Sequence, residues 1–313
     1  MTALLALAAA AAAPFVFTSV AHQSLLVLIA INVILVASLD LLMGAAGLLS
    51  LGHAGFMGIG AYTSALLVFH RIAPFVLALP AAALAAATAG LFIGYPSLRL
   101  RHHYFVLVTF ISGIILTLLF TSLVGVTRGP MGLPGIPFAT LPLPGGVYTF
   151  NTFQSKVAYY FLALGLAAGT LWLRGRLMRG RLGVALAMIR EDEDLAMAVG
   201  VNTHATKVLI FVVSTGLAGM AGSLYAHYTT FLSPETFTFV DSFNLFVMNM
   251  LGGAGTAAGP VVGPVILTVV RDALRSISPV LAEIAFGVFL IAVIAFLPAG
   301  LVGALQARRR REA

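Results

Sequence analysis

The chain has 313 residues, of which 60% are hydrophobic and only 9% are charged, and its formal net charge is +7. A soluble protein of this length needs more charge to cover its surface, and disordered chains are poor in apolar residues, so both classes are excluded. The absence of cysteine excludes disulfides and thiolate sites. We interpret the positive charge as topology-setting arginine rather than as a nucleic-acid surface. The composition predicts an all-α polytopic membrane protein, with residues 1–313 forming a single transmembrane domain.

About 20 apolar residues form a helix that can cross a bilayer. The first apolar stretch has no basic residue before it, which favours a membrane span over a cleaved signal. A further stretch, 243–270, is interrupted by glycines and Pro260, so that each half is short for a span. The uninterrupted apolar stretches cover about 2–20, 25–48, 51–69, 73–95, 104–125, 157–173, 208–228 and 281–303.

Basic residues predict the orientation, because short cytoplasmic loops are the richer in lysine and arginine. Arg99 with Arg101, the segment 174–207 and the tail Arg308–Arg311 mark the cytoplasmic side, so the loop at about 126–156 is expected outside. For the arginine tail to return inside, the interrupted stretch must cross an even number of times, as two short helices or a re-entrant hairpin. This gives about ten membrane segments, including a Gly/Pro-broken helix pair, with both termini in the cytoplasm.

Two ionisable residues, Asp40 and His53, lie at membrane depth, where such groups face the bundle interior or a water-filled path. They could form part of a functional site, or a buried polar pair that locks two helices. Glycines recur at short spacings around His53 and again within the stretch 208–228. Because small residues let membrane helices approach closely, these glycines predict tight packing. They are Gly52, Gly55, Gly58, Gly60, Gly216, Gly219 and Gly222.

The Gly/Pro interruption at 252–260, flanked by Asn244 and Asn249, would leave free helix ends. Transporters often bind substrate at such breaks, although a flexible packing corner is the alternative.

In the predicted cytoplasmic segment, residues 183–200 are helix-prone and include a charged run. They would form either a docking helix for a cytoplasmic partner or a solvated amphipathic loop. The proline-rich loop 126–156 would be a lid, a receptor-facing surface or an ordinary connector.

Enzyme motifs are missing from the sequence. There is no Gly-x-x-x-x-Gly-Lys-Ser/Thr phosphate loop, no His-Glu-x-x-His and no Gly-x-Ser-x-Gly. The pair His102–His103 lacks the spacing that places two metal ligands on one helix face. We therefore expect no catalytic residues, no metal site and no enzymatic activity in this chain.

Several runs resemble branched-chain amino-acid ABC-transporter permeases, in the order that the family has them and over about residues 25–305. The loop shape favours the LivM-type subunits over their LivH-type partners. Two residues depart from the pattern: Asp40 stands where the family often has asparagine, and Asn249 where a β-branched apolar residue is commoner. The runs that carry the resemblance are Ala37–Tyr62, Gly129–Pro137, Ala187–Asn202 and Met250–Pro260.

The resemblance implies a permease subunit of an ATP-driven importer for branched-chain amino acids in the bacterial cytoplasmic membrane. Its partners would be a second, LivH-type permease subunit, two cytoplasmic ATP-binding subunits that hold ATP and Mg²⁺, and a periplasmic solute-binding protein. This chain would hold no cofactor. Permeases for urea or short amides also resemble it. From the residues alone, a stand-alone secondary transporter or channel stays possible. A purely structural scaffold would not need polar groups inside the bundle.

The two sets of site residues follow from these features. We expect the translocation path to involve Asp40, Ser50, His53, Phe56, Tyr62, Asn244, Asn249, Gly252 and Gly253. We expect the ATP-binding subunit to be contacted by Ile189, Arg190, Glu191, Asp192, Glu193, Asp194, Ala196 and Gly200.

Overall fold

The computed structural model describes residues 2–100, 102–143, 146–151 and 156–277, together with 287–288, 291 and 300–304. The predicted span 281–303 therefore lies largely outside the described residues, and the tail Arg308–Arg311 lies outside them entirely. The helices are α1 Thr2–Val16, α2 Val20–Asp40, a π-helix Leu41–Ala45, α3 His53–Phe69, α4 Phe75–Ser97, α5 His102–Ser122, α6 Val124–Thr127, α7 Lys156–Arg179, α8 Arg181–Glu191, α9 Glu193–Ala198, α10 Thr203–Thr229, α11 Phe239–Gly252 and α12 Gly259–Ile277. Short 3₁₀ turns lie at Gly129–Met131 and Pro234–Phe237, and the strands are β1 Leu133–Pro134, β2 Thr140–Leu143, β3 Gly146–Thr149 and β4 Phe231–Leu232.

The predicted all-α class is confirmed. Within the described residues, five helices are long and apolar enough to cross a membrane, and α3 is a shorter apolar helix. The prediction of about ten membrane segments with both termini inside goes beyond these five and stays a prediction. The five are Val20–Ala45, Phe75–Ser97, Tyr104–Ser122, Lys156–Arg179 and Thr203–Thr229.

Helix α10 lies at the centre of the bundle and packs most extensively against α3 and α4, while α2 packs against α7, α10 and α12. Glycine makes this packing possible. A Cβ on Gly60 would overlap the backbone of Gly219, and a Cβ on Gly222 would overlap the carbonyl oxygen of Met57. The close packing that the glycine pattern predicts is therefore confirmed between α3 and α10.

The chain interrupts its helices in two places. Helix α2 continues as the π-helix to Ala45, after which the backbone turns at Gly47, with φ +69°, and stays non-helical until α3. The predicted Gly/Pro interruption is present between α11 and α12, where Gly253 adopts φ +103°. A positive φ of this size is available to glycine at little cost. Helix α12 runs to Ile277, seven residues beyond the predicted end at 270.

The predicted loop 174–207 is mostly helical. Helix α7 runs through Arg179 and α10 begins at Thr203, so the connection is shorter than the sequence suggested. The helix-prone run within it forms two helices, α8 and α9, because Asp192 breaks it. The Asp192 side chain accepts a hydrogen bond of 3.0 Å from Leu195 N, as a helix N-cap does.

The loop 126–156 contains three of the four described strands, none of which the sequence predicted. Strand β1 pairs with β4 directly after α10, and β2 pairs with β3 as a hairpin. His227 at the end of α10 donates from Nδ1 to the Pro137 carbonyl at 2.7 Å, and its Nε2 accepts from Ser64 Oγ at 2.9 Å. These contacts fasten the described part of the loop to α3 and α10, which favours an ordinary connector over a lid.

Candidate translocation and coupling sites

His53 opens α3 inside the bundle and is fully buried. Its Nε2 lies 2.7 Å from Ser38 Oγ, and the same hydroxyl lies 2.7 Å from the Leu35 carbonyl oxygen. Because a hydroxyl has one proton and a carbonyl only accepts, Ser38 donates to Leu35 and His53 donates from Nε2. Nδ1 is then a bare acceptor, buried without a partner among the described residues.

Three other residues expected on the path each have a buried polar atom without a hydrogen-bond partner in the described part of the chain. These atoms are Ser50 Oγ, Tyr62 OH and Asn249 Oδ1. The Asn249 amide nitrogen has only a weak acceptor, the Met43 sulfur at 3.4 Å. Most buried polar side-chain atoms in proteins are hydrogen-bonded, so this set has unused capacity to bind a polar group.

Apolar neighbours surround these atoms. The ring of Phe56 packs edge-on against Phe211 at 5.6 Å, and Tyr62 packs against Phe120 at 5.0 Å. Asn244 is buried on α11. A few polar groups are therefore set among aromatic side chains, as in small-molecule sites generally.

Asp40 is buried at the end of α2 and pairs with Arg174 of α7. One carboxylate oxygen accepts from Arg174 Nε at 2.7 Å and also from Nη2, and the other accepts from Gly255 N at 2.7 Å. Arg174 Nη2 also donates to the Thr256 carbonyl at 3.0 Å. Both carboxylate oxygens of Asp40 thus accept hydrogen bonds. Of the two alternatives, a buried polar pair that joins helices describes Asp40 better than a residue free to bind substrate.

The prediction that Arg174 and Lys207 lie in a loop is wrong, because both are buried within helices. That they mark the cytoplasmic side stays a prediction. Arg174 pairs with Asp40, and Lys207 in α10 pairs with Glu193 in α9. A buried cation needs a carboxylate partner, and each finds one on a neighbouring helix. Sequence reasoning missed both pairs.

The interruption between α11 and α12 is tightly closed by its glycines. A Cβ on Gly252 would overlap the Gly259 carbonyl, and a Cβ on Gly44 would overlap Asp40 Oδ1 and Gly255 N. The loop at 253–258 therefore packs directly on the π-helix. Gly252 and Gly253 have no side chain that could contact a substrate. Their role is to let the backbone segments at the interruption lie close together.

The residues expected to contact the ATP-binding subunit differ from one another in their exposure. Ile189 and Ala196 are buried, whereas Glu191, Asp192, Asp194 and Gly200 are exposed. Between α8 and α9 lies a groove of about 390 Å³. Acidic Glu191 and Asp192 border it, and its apolar lining is Val184, Ala187, Met188, Leu195 and Ala196.

Comparison with known proteins gives a consistent family. The family model described as "Branched-chain amino acid transport system / permease component" matches residues 22–298. The LivM branched-chain amino acid permease protein of Escherichia coli K12 is 37% identical over 261 residues, which cover 78% of this chain and 61% of that protein. The LivH permease protein of Salmonella typhimurium LT2 is 27% identical over 204 residues, 63% of this chain and 64% of that protein.

An archaeal relative also matches. The probable LivM permease protein of Methanocaldococcus jannaschii is 28% identical over 141 residues, 41% of each chain. No solved structure gives a significant match. The chain spans about 61% of the length of the bacterial LivM proteins. The family model covers most of the chain, and the chain therefore belongs to the branched-chain amino acid transport system permease family.

Proposed function

We propose that this chain is a transmembrane permease subunit of an ATP-driven importer for branched-chain amino acids. The observation that carries the proposal is the set of unpartnered buried polar atoms in the bundle of a chain of the branched-chain permease family. An amino acid has charged ends and, here, an apolar side chain. Ser50, His53 and Asn249 would meet its polar groups, while Phe56 and Tyr62 would line its apolar part.

The proposed assembly has three kinds of component besides this chain. A LivH-type permease subunit would complete the path, and a periplasmic solute-binding protein would deliver the substrate. Two cytoplasmic ATP-binding subunits would hold ATP and Mg²⁺, so that this chain needs neither cofactor nor enzymatic residues. In this arrangement the chain has about ten membrane segments, lies in the bacterial cytoplasmic membrane and has both termini inside.

The groove between α8 and α9 would receive one ATP-binding subunit. Its apolar floor offers area to bury, and its acidic border would select a basic partner surface. Val184 and Leu195, which line the groove, are exposed, and an exposed apolar patch of this kind is typical of a surface that a partner covers.

The substitution Val184→Glu tests this surface. We expect it to lower co-purification of the ATP-binding subunit by about tenfold, because a charge in the apolar floor would cost at least about 1.4 kcal/mol of binding free energy. Val240→Glu is the control, since both valines are 61% exposed and Val240 lies on α11, away from the groove. Equal recovery with the two variants would refute the docking surface.

Uptake by the reconstituted complex with its binding protein tests the proposed substrate. We expect ATP-dependent accumulation of labelled leucine, isoleucine or valine, and much weaker accumulation of urea and acetamide. Saturable uptake of urea in place of the amino acids would favour the urea or short-amide alternative. Uptake by this chain alone, without ATP, would instead identify a secondary transporter or channel.

A further inference from the structure

Arg190 is exposed, but its guanidinium reaches the bundle rather than the groove. Its Nη1 donates a 2.6 Å hydrogen bond to the carbonyl oxygen of Gly44, near the end of the π-helix. Along α8 it follows the buried residues Gly183 and Leu186 at spacings of three and four, so it lies on their side of the helix. The groove residues Val184 and Met188 lie on a different side.

The acceptor is a carbonyl that the helix itself leaves free. The last carbonyls of a helix have no partner within it, and they form the negative end of its dipole. A cationic guanidinium is therefore a strong partner for the Gly44 oxygen. Arg190 Nη1 also lies only 3.3 Å from where a Cβ on Gly255 would stand, so the same contact reaches the interruption between α11 and α12.

A second arginine, Arg174 on the preceding helix α7, contacts the same region. Arg174 bonds both Asp40, immediately before the π-helix, and the carbonyl of Thr256 in the interruption. Asp40 in turn accepts from Gly255 N. Helix α8 follows α7 after one extended residue, Gly180, so a single helix–turn–helix segment carries both arginines. This segment therefore contacts both interruptions where they meet.

We infer that Arg190 and the Asp40–Arg174 pair link the movement of α8 to the two interrupted helices, with Arg190 as a positioning residue for transport. This inference rests on the proposed function and deepens it. It also revises the role expected for Arg190, which passes movement inward and does not contact the ATP-binding subunit. When α8 moves with its docked partner, Arg190 pulls on the π-helix, whose Met43 contacts the Asn249 side chain.

The test compares Arg190→Ala with Arg181→Ala, an exposed arginine on the same helix, in the full complex with its binding protein. Three quantities are measured: recovery of the ATP-binding subunit, ATP hydrolysis, and substrate taken up per ATP. We expect Arg190→Ala to keep recovery and hydrolysis near wild type and to lower uptake per ATP by about tenfold, within the usual range of coupling between sites. Arg181→Ala should change none of the three.

Arg190→Lys provides the conservative comparison. Its ammonium can still donate to the Gly44 carbonyl, so we expect an intermediate uptake per ATP. If Arg190→Ala does not accumulate in the membrane, Arg190→Met, which has similar length but no hydrogen-bond donor, is measured in the same way and must show the lowered ratio. Unchanged uptake per ATP, or loss of the ATP-binding subunit with Arg190→Ala alone, would overturn the inference. A wild-type complex that imports another solute would refute the proposed substrate, and the ratio would then be measured with that solute.

Discussion

Replacing Arg174 with methionine is expected to lower the free energy of unfolding by about 3–5 kcal/mol, because it leaves a buried carboxylate without its cation. Asp40 is 1% exposed and accepts two of its hydrogen bonds from this guanidinium. Methionine fills the space of the side chain but provides no donor. The remaining contact from Gly255 N cannot compensate for a full negative charge in an apolar interior. Thermal unfolding of the complex in detergent, together with its abundance in the membrane, measures the loss.

Arg176→Met is the matched control, since Arg176 is exposed on the same helix and loses the same charge. The double substitution Asp40→Asn with Arg174→Gln should recover more than half of the lost stability. It removes both charges, and each amide keeps a group able to bond Gly255 N or the Thr256 carbonyl. Similar unfolding of the Arg174→Met and Arg176→Met variants would mean that the pair does not stabilise the bundle.

The sequence contained a signal for Arg174 that the span boundaries concealed. The buried residues of α7 include Tyr160, Ala163, Ala167, Thr170 and Arg174, at spacings of three and four along one side of the helix. Ending the span at 173, before the first arginine, removed this residue from the pattern. A lone acid at membrane depth needs a cation, and extending the stripe by one turn would have found it.

Other features had no such signal. The acceptor of Arg190 is a backbone carbonyl, which every residue has, so no residue pattern could identify it. Strands β1 and β4 have two residues each, too few for alternation to show, and they pair across a long separation in sequence. By contrast, the glycines predicted both the break at 253–258 and the close helix contacts. Both features need a residue without a side chain, so the residue type itself indicates them.

Gly222→Val is expected to separate α3 from α10 and to destabilise the bundle by about 3 kcal/mol, at the upper end of overpacking costs. The added Cβ would overlap the Met57 carbonyl oxygen and come within 2.9 Å of Ala61 N. Both are backbone atoms in the middle of α3, so neither can turn aside as a side chain would. The helices must move apart along one of the two most extensively packed contacts of the described bundle.

Gly169→Val on α7 controls for the substitution itself. Gly169 is exposed, and among the described residues no atom that its Cβ could meet lies within 4 Å. Valine also has a higher helix propensity than glycine, so this control should be as stable as wild type or slightly more stable. We therefore expect folded complex and substrate uptake to fall together for Gly222→Val and to be retained for Gly169→Val. If the two variants unfold at the same temperature, the glycines are not needed for the close approach of α3 and α10. The small residues on these helices would then need a different explanation.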